Sequence, residues 1–243
     1  MGALDGRTAL VTGGGRGLGA AIAASLSSHG AHVGVLSRTA AEVRRVAADV
    51  GGTALVADVT DPDRLASTLQ RFGEVDVLVA NAGVVWPLGP FADVDIAAWE
   101  EAVRINLFGA VRVERACVPG MIARGYGRIV SISSGAANAP GMPSANAYST
   151  SKAALDMFTL HLAGELDGTG VTANAVRPGV VDTGMQTFMR DQPVDQVGGQ
   201  FYERFHGLHD RGELIAPSTA AEFVVDVLLS DRNGEVLDIR TPR

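Results

Sequence analysis

The sequence predicts an α/β fold in which a doubly wound parallel sheet is covered by helices on both faces. Three observations point there. Short β-branched runs alternate with longer helical patterns, the rhythm of βαβ units whose strands are buried on both sides. A glycine cluster stands between the first run and an Ala-rich helix, and 243 residues with 47% hydrophobic side chains suffice for one core.

The strand runs fall at 8–12, 32–37, 53–57, 75–80, 128–133, 171–176 and 236–239, seven in all. Helical patterns occupy about 17–29, 39–49, 61–71, 96–123, 146–166 and 218–230. Asp61-Pro62 and Pro217-Ser218 read as helix starts, because a first turn tolerates proline there. No repeat or polar linker divides the chain, so one domain over 1–243 is expected. The stretch 184–215 is less periodic, rich in Gly, Gln, Met and Phe, and is expected to form a lid over a site.

Composition narrows the partners. A formal net charge of −7 with no basic stripe argues against nucleic acid, which needs cations to displace counterions from phosphates. Cys117 stands alone, which excludes an intramolecular disulfide framework and reads as a small buried apolar residue in a reducing compartment. Apolar runs break before the ~18 residues of a membrane span, and too little precedes the first strand for a signal peptide. A cytoplasmic protein without a membrane partner is therefore expected. His206 and His209 lack further ligands at useful spacing, so no metal is expected.

The first strand runs through Thr12 into Gly13, Gly14, Gly15, Arg16, Gly17, Leu18 and Gly19, then directly into a helix. Glycines let the backbone approach a pyrophosphate while the helix amides and dipole face the anion. Gly15–Ala20 also fits the looser G-x-G-x-x-A pattern, so this stretch alone leaves the type of dinucleotide site open. At the end of the second strand, where a carboxylate would accept both ribose hydroxyls of NAD, the chain reads Ser37-Arg38. Without that acid a 2′-phosphate is not repelled, and Arg38, with Arg16, offers it forked cationic donors. NADP(H) is the expected cofactor.

Tyr148 and Lys152 open the helix after the fifth strand, and their i, i+4 spacing places phenol and amine on one face. A cation roughly 5 Å from the phenol, at an effective dielectric of about 20, would favour phenolate by about 3 kcal/mol, or roughly two pKa units. A phenol so shifted can trade a proton with a carbonyl or alcohol oxygen. Lys152 is the only lysine among the 20 basic Lys and Arg residues. Ser134, at the end of strand five, is chosen to polarise the substrate oxygen, with Ser131 and Ser133 as competitors. Asn106 sits inside a long helix, where its amide is mildly unfavourable, and is expected to receive a water linked to Lys152.

Taken together, Thr12 to Gly19 as T-G-x-x-x-G-x-G, Asn81-Ala82-Gly83, Asn106, Ser134, Tyr148-x-x-x-Lys152 and Arg177-Pro178-Gly179 resemble the short-chain dehydrogenase/reductase superfamily along the whole chain. The resemblance implies a single Rossmann-type domain with an Asn-Ser-Tyr-Lys tetrad, Lys152 also holding the nicotinamide ribose. It implies adenine contacts near Asp58 and Val59, ribose contacts near Asn81, Ala82 and Gly83, and nicotinamide and phosphate contacts from Pro178, Gly179, Val181 and Thr183. Hydride transfer between NADP(H) and a ketone or secondary alcohol is the implied activity, in a homodimer or homotetramer joined through 96–123 and 146–166. Alternatives are a 3-oxoacyl-thioester ketoreductase of the same family and a non-catalytic dinucleotide sensor. Arg177 is read as structural.

A finer match links 181–186, 208–215 and the short tail to the sepiapterin reductase and benzil reductase branch. If that branch applies, Asp238 faces the pocket and takes a cationic substrate group. Trp86, Met142, Met185 and Phe188 are the candidate apolar walls.

Overall fold

The computed structural model describes residues 2–138 and 142–241. Its seven strands are β1 (Thr8–Thr12), β2 (His32–Ser37), β3 (Thr53–Val56), β4 (Val77–Ala80), β5 (Gly127–Ile132), β6 (Val171–Arg177) and β7 (Val236–Asp238). All pair in parallel, in the order β3-β2-β1-β4-β5-β6-β7. The expected doubly wound sheet is present.

Alternation along the strands sorts the core into two layers. Val11, Val35, Val79, Val130 and Val176 face one way, packed with Ile22 and Leu26 of α1 (Gly17–Ser28), Val43 of α2 (Ala40–Asp49) and Val224 of α10 (Pro217–Leu229). Leu10, Leu36, Leu78, Ile129 and Ala173 face the other, against Leu65 and Leu69 of α3 (Pro62–Phe72) and Val113 and Met121 of α5 (Gly109–Arg124). Cys117 is free and buried in this second layer, where desolvation pushes its thiol up to about 12, so it packs as an apolar group.

Two expectations about helices change. The helix expected at 96–123 is α4 (Ile96–Val103) and α5, joined by a π-helical turn at Arg104–Phe108. The extra residue of such a turn rotates α5 relative to α4 and brings Asn106 fully inside. The stretch 184–215, read as less periodic, holds α7 (Gly184–Arg190), α8 (Val194–Val197) and α9 (Gly199–Asp210). These short helices pack Met189, Val197, Phe201 and Phe205 against Val85 and Ala145, away from the sheet. Their apolar positions answer to a local cluster and not to a long amphipathic stripe, which is why periodicity missed them.

The order of strands reverses between β1 and β4, which opens a crevice at their carboxyl ends. The glycine loop after β1, Asn81 to Gly83 after β4 and Ser134 after β5 all lie at those ends. Among the described residues, no helix is long and apolar enough to cross a membrane.

Candidate active site

The loop after β1 is built for close approach. Gly13 has φ +63° and Gly17 φ +54°, left-handed values that suit glycine. A Cβ on Gly19 would stand 2.3 Å from Gly13 O, and one on Gly15 2.8 Å from Glu42 Cβ. Helix α1 then starts with no side-chain cap and no acid in its first turn, leaving its amides and dipole for an anion. The Leu18 side chain is partly buried and packs against the core under the sheet. Asn81 serves the loop as well: its Nδ2 donates to Thr12 O at 2.9 Å and to Gly13 O at 3.3 Å. Thr12 Oγ1 in turn accepts from the amides of Asn81 and Ala82 at 3.0 and 3.1 Å. The side chain of Asn81 thus fixes the glycine turn.

At the β2 edge, Arg38 Nη1 lies 3.9 Å from Asp58 Oδ2, whose Oδ1 accepts from Thr60 N and Oγ1. Val59 turns its side chain into the core against Gly109, so any adenine contact there uses main chain. Two groups were missed from sequence. Glu42, in the first turn of α2, lies 3.7 Å from Arg16 Nη1, and Arg45 Nη2 donates to Gly15 O at 3.3 Å. Ser37 Oγ is enclosed without a hydrogen-bond partner among the described residues. The glycine cradle, the uncapped α1 terminus and this unspent hydroxyl fit a dinucleotide. Glu42 sets a carboxylate from helix α2 beside Arg16, so the edge holds cations and a carboxylate together.

On the other side of the crevice, α6 (Asn146–Glu165) presents Tyr148 and Lys152. Lys152 is buried; its Nζ donates to Ile132 O at 2.7 Å and stands 5.9 Å from the centre of the Tyr148 ring. A Cβ on Gly83 would sit 3.5 Å from that Nζ and 3.2 Å from Asn106 Oδ1, so the Gly83 turn closes directly over the amine. Asn106 is committed to protein partners: Oδ1 accepts from Val84 N at 2.7 Å, while Nδ2 donates to Val84 O at 2.8 Å and Ser151 Oγ at 3.0 Å.

The three serines separate cleanly. Ser131 Oγ donates to buried Glu114 Oε1 at 2.8 Å, and Ser133 Oγ is enclosed without a partner among the described residues. Ser134 is the one whose hydroxyl acts on the Tyr148 phenol, favouring its charged form, and it also accepts from Ala136 N. Burial acts on both groups of the pair. Burial holds Tyr148 above its ordinary value, with the Ser134 hydrogen bond opposing, and burial pulls Lys152 down to about 8 against the charge of Asp156. The rise at Tyr148 reflects the hydration that a phenolate would lose in the crevice.

Met142 and Met185 pack with Tyr148, Val180 and Leu208 on the cluster formed by α7 to α9. Trp86 is half-buried on the loop after β4, and Phe188 is 38% exposed and outside that cluster. After β6, Gly179 (φ +76°) abuts Ile215 and Ile239, Val181 bridges to Ile215, and Thr183 Cγ2 comes within 3.3 Å of a Cβ placed on Gly17. The Pro178–Thr183 loop therefore meets the glycine turn. Asp238 is engaged elsewhere: both of its oxygens are forked by Arg240, at 2.9 and 2.6 Å, and it borders a cleft against α10. A carboxylate so occupied offers no free charge to a cationic substrate.

This geometry agrees with comparison to known proteins. The family model for short chain dehydrogenases matches residues 7–193. The chain is 36% identical over 239 residues, 94% of its length and 96% of the relative's, to cis-4-hydroxycyclohexanecarboxylate dehydrogenase of Sinomonas cyclohexanicum. Among solved structures it resembles an actinorhodin polyketide ketoreductase variant with NADPH, at TM-score 0.86 and 32% identity, covering 98% of this chain and 97% of the other. It also resembles a 3-ketoacyl-(acyl-carrier-protein) reductase from Brucella melitensis complexed with NADH, at TM-score 0.84 and 25% identity, covering 97% of each chain. The chain belongs to the short-chain dehydrogenase/reductase family. It is accordingly an oxidoreductase of a family that uses nicotinamide cofactors.

Proposed function

We propose that the protein moves hydride between NADP(H) and a ketone or secondary alcohol, with Tyr148 as general acid/base. The observation that carries this reading is the half-buried Tyr148 side chain one helical turn from the buried Lys152 amine, at the crevice where the glycine loop opens and Ser134 follows β5. A bound nicotinamide supplies the hydride chemistry. In the reducing direction Tyr148 donates its proton to the carbonyl oxygen, and Ser134 donates a hydrogen bond that stabilises the charge growing there. Lys152 holds positive charge beside the phenol, easing its conversion to phenolate, and its ammonium is suited to the nicotinamide ribose. Asn106 secures the Val84 turn and α6 around these groups.

Arg38 and Arg16 support NADP(H), as two cations at the edge where a 2′-phosphate would fall. The apolar wall of Met142, Met185, Val180 and Leu208 suits a substrate with a hydrocarbon body. The relative's name, a dehydrogenase of a hydroxylated cyclohexane ring, is in keeping with a cyclic secondary alcohol. Helices α7 to α9 are proposed as the lid over this wall. The half-exposed Phe108 and Met157, beside α5 and on α6, favour self-association through these helices. A cytoplasmic setting accords with the buried free thiol of Cys117.

The test is turnover of NADPH and NADH over cyclic ketones, diketones, quinones, pterins, β-ketoesters and β-ketoacyl thioesters. Reduction of a free ketone, with NADPH preferred, supports the reading. Turnover confined to β-ketoacyl thioesters would make the chain a thioester ketoreductase, and dinucleotide binding with no turnover would make it a sensor.

A further inference from the structure

Lys152 is 3% exposed, a place where an amine ordinarily gives up its proton, and its Ile132 O acceptor is neutral. One helical turn further along the same buried face stands Asp156, itself 7% exposed. Asp156 Oδ2 accepts from Arg177 Nη2 of β6 at 2.5 Å, while its Oδ1 is enclosed with no hydrogen-bond partner among the described residues. One oxygen is thus tied to the sheet and the other is unspent. Beyond it, Arg177 acts on Asp238, which is forked by Arg240 at the surface. Charges of alternating sign run from the buried amine to the exposed edge.

Other elements around α6 offer Lys152 little charge. β5 and the turn after it present Ile132 O and the hydroxyls of Ser133 and Ser134, while the π-helical turn presents the amide of Asn106. Glu101 of α4 pairs with Arg104 at the surface, and Trp99 donates to Asn146. The remaining buried carboxyl, Glu114 of α5, binds Ser131 and acts on Cys117. On α6 itself the other titratable neighbour is Tyr148.

We propose that Asp156, anchored by Arg177, is a positioning residue that keeps Lys152 a charged ammonium beside Tyr148; the inference rests on the role given to Lys152 under the proposed function. Its charge opposes the burial that drives Lys152 toward the neutral amine. An ion pair that merely tied α6 to β6 would leave the titration of Lys152 alone.

Because Lys152 is the sole lysine, protein carrying ¹³C-labelled lysine and a lysine-free tag gives one side-chain signal. Its titration is followed in wild type, Asp156→Asn, Asp156→Glu and the double variant Asp156→Asn/Arg177→Gln. The double variant removes the uncompensated buried guanidinium that burdens folding of the single one. The wild-type midpoint is expected near 8. Asp156→Asn is expected to lower it by about one pH unit or more, the double variant to lower it by less because the repulsive Arg177 cation goes as well, and Asp156→Glu to return toward wild type. In kinetics, the alkaline limb of kcat/KM for carbonyl reduction moves down with it. An unmoved midpoint in a folded Asn variant overturns the proposal. The signal needs no turnover, so a shifted midpoint in an inactive protein counts against the function alone, and an unshifted one in an active enzyme counts against Asp156 alone.

Discussion

The amide of Asn106 donates to the hydroxyl of Ser151 at 3.0 Å, joining the π-helical turn to the helix that carries Tyr148 and Lys152. The same side chain closes both main-chain groups of Val84, at a position with no solvent exposure. Asn106→Leu would strand Val84 N–H, Val84 C=O and one bond of Ser151. A loss of about 3 kcal/mol is expected, read from urea unfolding, because buried polar groups without partners bear their full desolvation cost. A variant as stable as wild type would show that the turn is held by other means.

Cofactor choice at the β2 edge is expected to follow charge. Arg38→Asp should lower NADPH affinity relative to NADH by roughly 10- to 100-fold, the worth of a charge-assisted hydrogen bond. Glu42→Gln should change it the other way by a few-fold, since Glu42 holds Arg16 and adds negative charge where the phosphate would sit. Fluorescence titration with both dinucleotides measures this; equal shifts for NADH and NADPH in both variants would remove these residues from the discrimination.

Glu114 gives stability a pH dependence of its own. Burial raises its pKa from 4.5 to about 7, with the Ser131 hydrogen bond opposing. The folded state therefore keeps a proton that the unfolded chain releases, and this contribution is full below pH 4.5 and lost as pH rises through 7. Glu114→Gln, which stays neutral and can still bond Ser131, should gain on wild type by about 3 kcal/mol between pH 4.5 and pH 8. Urea midpoints at those two pH values provide the comparison, and a constant difference between variant and wild type would contradict it.

The strands and glycine turn were legible because they depend on local chemistry: β-branched runs buried on both faces, and glycines where a Cβ would strike Gly13 O or Asn81. Tyr148 and Lys152 were legible because one helical turn joins them. What escaped depends on distance through space. Glu42 reaches the dinucleotide edge from the next helix, Asp156 finds Arg177 at the end of the strand under its own helix, and Asp238 is claimed by Arg240. The π-helical turn at Asn106 reflects a shifted hydrogen-bond pattern that side-chain periodicity does not encode. The setting of the phenol, half-buried beside Met142 and Met185, is likewise a property of the assembled crevice.

Proton exchange at Tyr148 is tested most directly by single-turnover reduction of a ketone at saturating cofactor, comparing wild type with Tyr148→Phe. Removal of the phenolic proton should slow the chemical step by roughly 10²- to 10⁴-fold. A Tyr148→Phe rate within about fivefold of wild type, a barrier change below about 1 kcal/mol, would mean that another group supplies the proton.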